Sequence, residues 1–100
     1  MKMPKLAVQL VRQALDGAVK VRISLWSDVK PAIISQAYLD PDDEKLEYNV
    51  AVAAGALAEH QCLTYGDKHN PDQLSGVAAK AIRKLKEKGE KSNARVEAQT

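Results

Sequence analysis

The chain has no phenylalanine, one tryptophan and three tyrosines among its 100 residues, so its core must be built mainly from aliphatic side chains. Cys62 is the single cysteine, which excludes an intramolecular disulfide and suits a reducing compartment. No run approaches the roughly 20 apolar residues of a membrane-spanning helix, and the first residues lack the long apolar stretch of a secretory signal. We therefore expect a cytoplasmic protein that does not enter a membrane.

Motifs typical of enzymes are missing as well. The sequence has no glycine-rich phosphate loop, no G-x-S-x-G and no H-E-x-x-H. His60, Cys62 and His69, with Glu59 and Asp67 nearby, lack the paired spacing of a zinc site such as C-x2-C. No third group that would orient a cysteine–histidine nucleophile is identifiable. We predict no catalytic residues, no cofactor and no metal.

Charge is distributed unevenly although the net charge is only +2. Residues 1–30 carry six Lys and Arg against two Asp, a net of +4. Residues 40–59 carry six Asp and Glu against one Lys, a net of −5, and residues 79–100 carry seven Lys and Arg against three Glu, again +4. Two basic ends around an acidic middle hint at a polyanionic partner, although ordinary solvated faces also explain charges of this size.

The clearest single element is a strand at residues 19–25. Its apolar and polar residues alternate strictly over seven positions: Val19, Val21, Ile23 and Leu25 against Lys20, Arg22 and Ser24. Such alternation is typical of a half-buried β-strand, and Trp26 follows on its polar side. Because a strand carries unpaired backbone groups along both edges, this one needs a partner.

Helical patterns surround this strand. "PKLAVQLVRQALDG" has apolar residues at helical spacing and a plausible stop at Gly17, so it predicts a first helix. After the strand, Ser27 or Asp28 can cap a second, short helix, whereas "AIISQAYL" at 32–39 also has the composition of a strand. We favour the helix and keep the strand as the alternative.

Two longer helices are predicted further along. In the first, Asp40 is the N-cap, Pro41 the first helical residue and Gly66 the stop; the rival is a hairpin of 32–39 against 45–52. The second has Asn70 as N-cap and ends at Gly89. Its apolar stripe consists of Leu74, Val77, Ala78, Ala81, Ile82 and Leu85. We expect one domain over 1–88 and a mobile basic and polar tail over 89–100.

The stretch "RISLWSDVKPAIISQA", residues 22–37, resembles the opening of ribbon-helix-helix DNA-binding proteins of the Arc and MetJ class. The likeness extends over roughly residues 19–63. In that family the strand of each chain pairs antiparallel with its copy in a second chain. With the first helix added, the resemblance implies a mostly α fold with one short strand, ordered helix-strand-helix-helix-helix, that forms a homodimer. The alternative is an α+β fold, a small antiparallel β-meander flanked by N- and C-terminal helices.

The resemblance implies a non-enzymatic regulator that binds double-stranded DNA. A two-stranded ribbon fits the major groove, where Lys20, Arg22 and Ser24 would face the bases. The last helix adds basic side chains that suit phosphate groups: Lys80, Lys84 and Lys88.

The alternative function is a small accessory or inhibitor protein, of the phage or plasmid type, that binds another protein through an acidic surface. The carboxylates of "DPDDE" would repel phosphate groups where the ribbon family approaches DNA. The candidate partner-binding residues are Trp26, Asp40, Asp42, Asp43 and Glu44. Tryptophan is enriched at the energetically dominant positions of protein interfaces, which is why Trp26 is included.

Overall fold

The computed structural model describes residues 6–13, 16–30 and 32–92, with only the backbone of 88–92. Three strands are followed by two helices: β1 (Leu6–Arg12), β2 (Val19–Trp26), β3 (Ile34–Leu39), α1 (Leu46–Tyr65) and α2 (Pro71–Ser92). The expectation of a mostly α chain with one strand is therefore wrong, because this is a strand-rich α+β fold. The alternative anticipated the meander, but both helices of the described chain follow the sheet.

The predicted strand is the centre of the sheet. The strand order is β1-β2-β3, and β2 pairs antiparallel with both neighbours. Its two edges are thus occupied within the chain, so the expected pairing of this strand with a second copy is wrong. A homodimer stays a prediction, and it would have to form through another surface.

The first expected helix is strand β1 instead. Leu6, Val8 and Leu10 match the helical spacing only in part, and they also alternate. In the sheet these three residues lie opposite Leu25, Ile23 and Val21. Pairing with β2 satisfies the backbone of β1 and buries Val8, which an isolated helix at this position would not achieve.

Strand β3 occupies the segment for which helix and strand were both considered. The strand alternative is confirmed, and the short helix capped by Ser27 or Asp28 is wrong. A hairpin connection between β2 and β3 takes the place of that helix, and Ser27 N donates to the carbonyl of Ile33 across it at 3.0 Å. Pro31 lies outside the described residues.

The acidic segment after β3 forms turns before α1 begins. Asp40 Oδ1 accepts a hydrogen bond from the backbone N of Asp42 at 2.9 Å, and Asp43 Oδ1 accepts one from Lys45 N at 2.7 Å. The helix starts at Leu46, so the predicted N-cap at Asp40 and the hairpin with 45–52 are both wrong. The predicted stop at Gly66 is confirmed, with φ of 79° in the left-handed region that favours glycine.

The last helix begins as predicted. Asn70 Oδ1 accepts a hydrogen bond from Gln73 N at 3.2 Å, which is the expected N-cap. The helix continues past Gly89 to Ser92, so its predicted end is three residues too early. The remainder of the expected tail, 93–100, lies outside the described residues.

A single cluster of buried side chains joins the sheet to both helices. Its members are Val8, Val21, Ile23, Leu46, Val50, Ala54, Ala78 and Ile82. Small residues allow α1 and α2 to approach closely, and an added Cβ on Gly55 would lie 2.7 Å from Ser75 Oγ. Neither helix of the described chain has the length and apolar content needed to cross a membrane.

Candidate functional site

The two faces of the sheet have different environments. Val21, Ile23 and Leu25 point from β2 toward the helices and are fully buried. The opposite side, which we call the open face, carries Ala7, Gln9 and Val11 of β1, Lys20, Arg22, Ser24 and Trp26 of β2, and Ile34, Gln36 and Tyr38 of β3. Ala7, Gln9 and Ser24 are buried on this face, and its exposed residues are those of β3. The strand positions of the open face include two cations and no carboxylate, so the face is positively charged.

The middle of the open face is held by side-chain hydrogen bonds. Arg22 donates from Nε and Nη2 to Gln9 Oε1, at 3.2 and 2.7 Å, which fixes the plane of its guanidinium. Gln36 Nε2 donates to Ser24 Oγ at 3.1 Å. Ser24 is only 2% exposed, so its predicted contact with DNA bases would need these neighbours to move.

Aromatic and aliphatic side chains complete this face. Tyr38 lies directly opposite Arg22 in the sheet register and is 47% exposed. Trp26 lies opposite Ile34, with the tryptophan half-buried and the isoleucine exposed. The guanidinium of Arg22 is directed to Gln9 on the β1 side, and the accessible ring of Tyr38 on the β3 side is a surface of the kind on which unpaired bases stack.

The other predicted DNA-binding residues lie elsewhere. Ala78 and Ile82 bury one side of α2 against the core. Lys80 follows Ala78 by two residues, which at 3.6 residues per turn is about 200° around the helix, so it points away from the sheet. Lys84 is exposed on the same outer side. The side chain of Lys88 lies outside the described residues, and the described lysines of α2 are not brought together with Lys20 and Arg22.

The residues proposed for a protein partner are also separated. Trp26 lies opposite Ile34 at the start of β3, whereas Asp40 follows the end of that strand. A six-residue strand at about 3.3 Å per residue places them roughly 17 Å apart or more. Asp40 and Asp43 each accept a backbone hydrogen bond through one carboxylate oxygen in the turns before α1, which gives these acids a structural role. Asp42, like Glu44, is exposed in the same segment.

A second group of polar residues lies between the β2–β3 turn and the α1–α2 loop. Asp67 Oδ1 accepts hydrogen bonds from Ser27 Oγ at 2.9 Å and from Val29 N at 2.8 Å. The other oxygen, Asp67 Oδ2, is buried and has no hydrogen-bond partner among the described residues. The aspartate side chain is 0% exposed, so half of a buried carboxylate is left without a donor.

His69 is adjacent to this oxygen. Its Nε2 is 3.7 Å from Asp67 Oδ2, and its Nδ1 is 3.4 Å from Asp28 Oδ2. The same Nε2 is 2.8 Å from Gln61 Oε1. Gln61 Nε2 in turn donates to the carbonyl of Leu25 at 2.8 Å, so its Oε1 must be the acceptor and His69 Nε2 must carry a proton.

This group differs from the histidine and cysteine residues weighed from the sequence. Of those, the structure brings Asp67 and His69 together, while His60 is exposed on α1 with its ring against Tyr65. Cys62 is half-buried, with Sγ 3.5 Å from the carbonyl oxygen of His69. Sequence reasoning missed Asp28, because no local spacing relates the β2–β3 turn to a loop about 40 residues later.

No protein-family model, curated protein or solved structure matches this chain. The resemblance to ribbon-helix-helix proteins is therefore neither confirmed nor refuted by comparison.

Proposed function

We propose that the protein is a non-enzymatic nucleic-acid-binding module, and that its open face binds a single-stranded segment. The observation that carries this proposal is the cross-strand neighbour pair of Arg22 and Tyr38, with Lys20 on the same face. The cations attract phosphate groups, and the accessible ring of Tyr38 offers a surface for a base. A cytoplasmic location belongs to the same proposal, since the single Cys62 suits a reducing compartment.

A single strand fits this face better than a duplex. Duplex bases are stacked on one another and present only their edges, whereas an unpaired base can lie flat on a tyrosine or tryptophan. The open face has Trp26, Ile34 and Tyr38 at the positions where a duplex reader would need projecting polar side chains. Ser24, which was predicted to read base edges, is buried.

The acidic turn sets the expected position of the ligand. Asp40, Asp42 and Asp43 lie just beyond the Tyr38 end of β3 and repel phosphate groups. The strand is therefore expected to lie across the sheet on the Trp26 side of Tyr38. Replacing Asp42 and Asp43 by lysine should tighten binding, because a repulsive charge near the ligand becomes attractive.

Binding can be measured by fluorescence anisotropy of a labelled single-stranded oligonucleotide, as DNA and as RNA, with quenching of Trp26 as a second readout. Affinity should fall steeply as the salt concentration is raised, because binding of the protein releases counterions from the phosphates and this release is less favourable at high salt. Tyr38→Ala should weaken binding by about 5- to 150-fold, which corresponds to roughly 1–3 kcal/mol for one stacked base. Lys20→Ala should weaken binding and reduce its salt dependence.

Two substitutions on the helices serve as matched controls. Tyr48 is 68% exposed on α1, so Tyr48→Ala removes a ring that is more accessible than that of Tyr38 from the helical layer. Lys84→Ala removes the same charge as Lys20→Ala from the outer side of α2. Both should bind like the wild type. The proposal is refuted if Tyr38→Ala and Tyr48→Ala lose the same affinity, or if no single strand binds in a salt-sensitive way. If the protein prefers a duplex of the same sequence, stacking of unpaired bases is not how it binds.

A further inference from the structure

We propose that Asp28, Asp67 and His69 bind one divalent transition-metal ion of the zinc class. One ligand atom from each of the three side chains lies within 4.8 Å of the others. The site lies between the β2–β3 turn and the α1–α2 loop, and it does not depend on nucleic acid binding to the open face.

The unpaired oxygen of Asp67 is the first argument. A carboxylate removed from water is costly unless both oxygens find donors or a cation. Asp67 Oδ1 has two donors, whereas Oδ2 has none and is fully buried. Within the described chain, His69 is the one basic group within 4.0 Å of this carboxylate. The two hydrogen bonds to Oδ1 do not neutralise the negative charge of the Asp67 carboxylate, and a cation next to Oδ2 would.

A protonated His69 does not meet this need. Its Nε2 proton is already donated to Gln61 Oε1 at 2.8 Å, and Nε2 is 3.7 Å from Asp67 Oδ2. Charge-assisted N–H···O bonds are shorter, about 2.7–2.9 Å. Asp67 Oδ2 therefore remains without a donor whether or not Nδ1 is protonated.

The orientation of His69 is that of a metal ligand. Histidines that bind metals through one ring nitrogen usually donate the other N–H to an oxygen acceptor, which fixes the tautomer. Gln61 supplies that acceptor, and its own amide is held by Leu25 O and Ser35 Oγ. Nδ1 is left as the ligand atom, facing Asp28 Oδ2 at 3.4 Å.

The distance between the His69 and Asp28 ligand atoms and the types of ligand agree with zinc-like ions. Two ligand atoms each about 2.1 Å from a tetrahedral Zn²⁺ are separated by roughly 3.4 Å, the distance found between His69 Nδ1 and Asp28 Oδ2. One imidazole with two carboxylates suits Zn²⁺, Co²⁺ or Mn²⁺ better than Mg²⁺, which prefers oxygen ligands. The Asp28 side chain is 23% exposed, so an ion can enter on its side and complete its shell with water.

The test uses the full chain after treatment with a chelator, in the absence of nucleic acid, with Zn²⁺ as the probe. Zn²⁺ should bind with a stoichiometry of one ion per chain by titration calorimetry and raise the melting temperature in a saturable way. Asp28→Asn keeps the size of a partly exposed side chain and should fold normally. It should lose at least tenfold in Zn²⁺ affinity together with the melting-temperature shift.

The two histidines of the chain provide a matched pair. His69→Asn should lose the Zn²⁺ response, whereas His60→Asn, on the exposed side of α1, should keep it. Asp67→Asn retains an oxygen that can accept from Ser27 and Val29, but it removes the charge and should also lose the response. The proposal is overturned if Zn²⁺ leaves the wild-type melting temperature unchanged, or if Asp28→Asn or Asp67→Asn responds as the wild type does. Neither result bears on binding by the open face.

Discussion

Substituting Gly55 by alanine tests how closely α1 and α2 pack. A Cβ at this position would meet Ser75 Oγ at 2.7 Å, and real Cβ atoms essentially never approach so closely. The serine cannot move without loss, because its Oγ donates to the carbonyl of Ala51 at 2.7 Å. Gly55 therefore has a packing role in a helix that would otherwise gain from alanine.

The expected free-energy change combines a gain and two losses. Alanine in place of a mid-helix glycine stabilises by about 1 kcal/mol. Displacing Ser75 breaks its hydrogen bond to Ala51, at about 1 kcal/mol, and crowding the helix contact adds about 1 kcal/mol at the low end of overpacking. Gly55→Ala should therefore lower the free energy of unfolding by about 1 kcal/mol.

Urea denaturation of four proteins measures this change as a double-mutant cycle. In a Ser75→Ala background the added methyl meets no hydroxyl, so Gly55→Ala should stabilise by about 0.5–1 kcal/mol. The coupling between the two substitutions is then about 1.5–2 kcal/mol, within the range for residues in contact. Gly76→Ala is the control, since nothing lies within 4 Å of its added Cβ, and it should stabilise by about 1 kcal/mol. If Gly55→Ala stabilises as Gly76→Ala does, the close approach of the helices is wrong.

Four further substitutions test the cap of α2, the core and the buried amide of Gln61 by denaturation. Asn70→Ala should cost about 1 kcal/mol, because it removes the N-cap acceptor of α2; an unchanged midpoint would show that the cap contributes nothing. Ile82→Ala should cost about 2–5 kcal/mol, and Leu85→Ala less, because Leu85 is only half-buried; the reverse order would mean that the buried side of α2 is misassigned. Gln61→Leu should cost about 2–4 kcal/mol, since it leaves the Leu25 carbonyl without its side-chain donor and His69 Nε2 without an acceptor. A near-neutral result would contradict the role of this buried amide.

A helix or strand could be predicted from the sequence where its local patterns all indicated the same structure. Alternation alone located β2, and the cap, proline and apolar stripe together located the start of α2. The signals of β1 were divided, because Leu6, Val8 and Leu10 suit a strand whereas Leu6, Leu10 and Val11 suit a helix. Pairing with β2, which lies later in the chain, decides between them, and single-sequence patterns do not contain that partner.

The start of α1 was predicted five residues too early, at Pro41 instead of Leu46, because the acidic turn before it has the composition of a helix start. Asp40 followed by Pro41 has the composition of a helix start, yet aspartate carboxylates can equally accept hydrogen bonds inside a turn. The structure uses Asp40 and Asp43 in this second way, and the helix begins only when apolar Leu46 reaches the core.

Of the candidate site residues, only those on the clearly alternating strand could be predicted from the sequence. Lys20 and Arg22 were identified because they alternate with the buried residues of β2. The position of Tyr38 next to Arg22 depends on the register of β3, which was assigned mainly to a helix. The approach of Asp28 to Asp67 and His69 depends on how the helices dock onto the sheet, and no spacing in the sequence encodes it.

The hydrogen bonds between Asp67 and the β2–β3 turn determine when this turn can be completed during folding. The turn closes partly through Val29 N and Ser27 Oγ, and both donate to a carboxylate about 40 residues later in the chain. The two β-hairpins can form from neighbouring segments, but this turn gains those bonds only after α1 and its following loop have docked. Hydrogen exchange of the Val29 amide should therefore report undocking of the helical layer rather than opening of the sheet. In Asp67→Ala, Val29 should exchange rapidly while amides of β2 that bond to β1 stay protected.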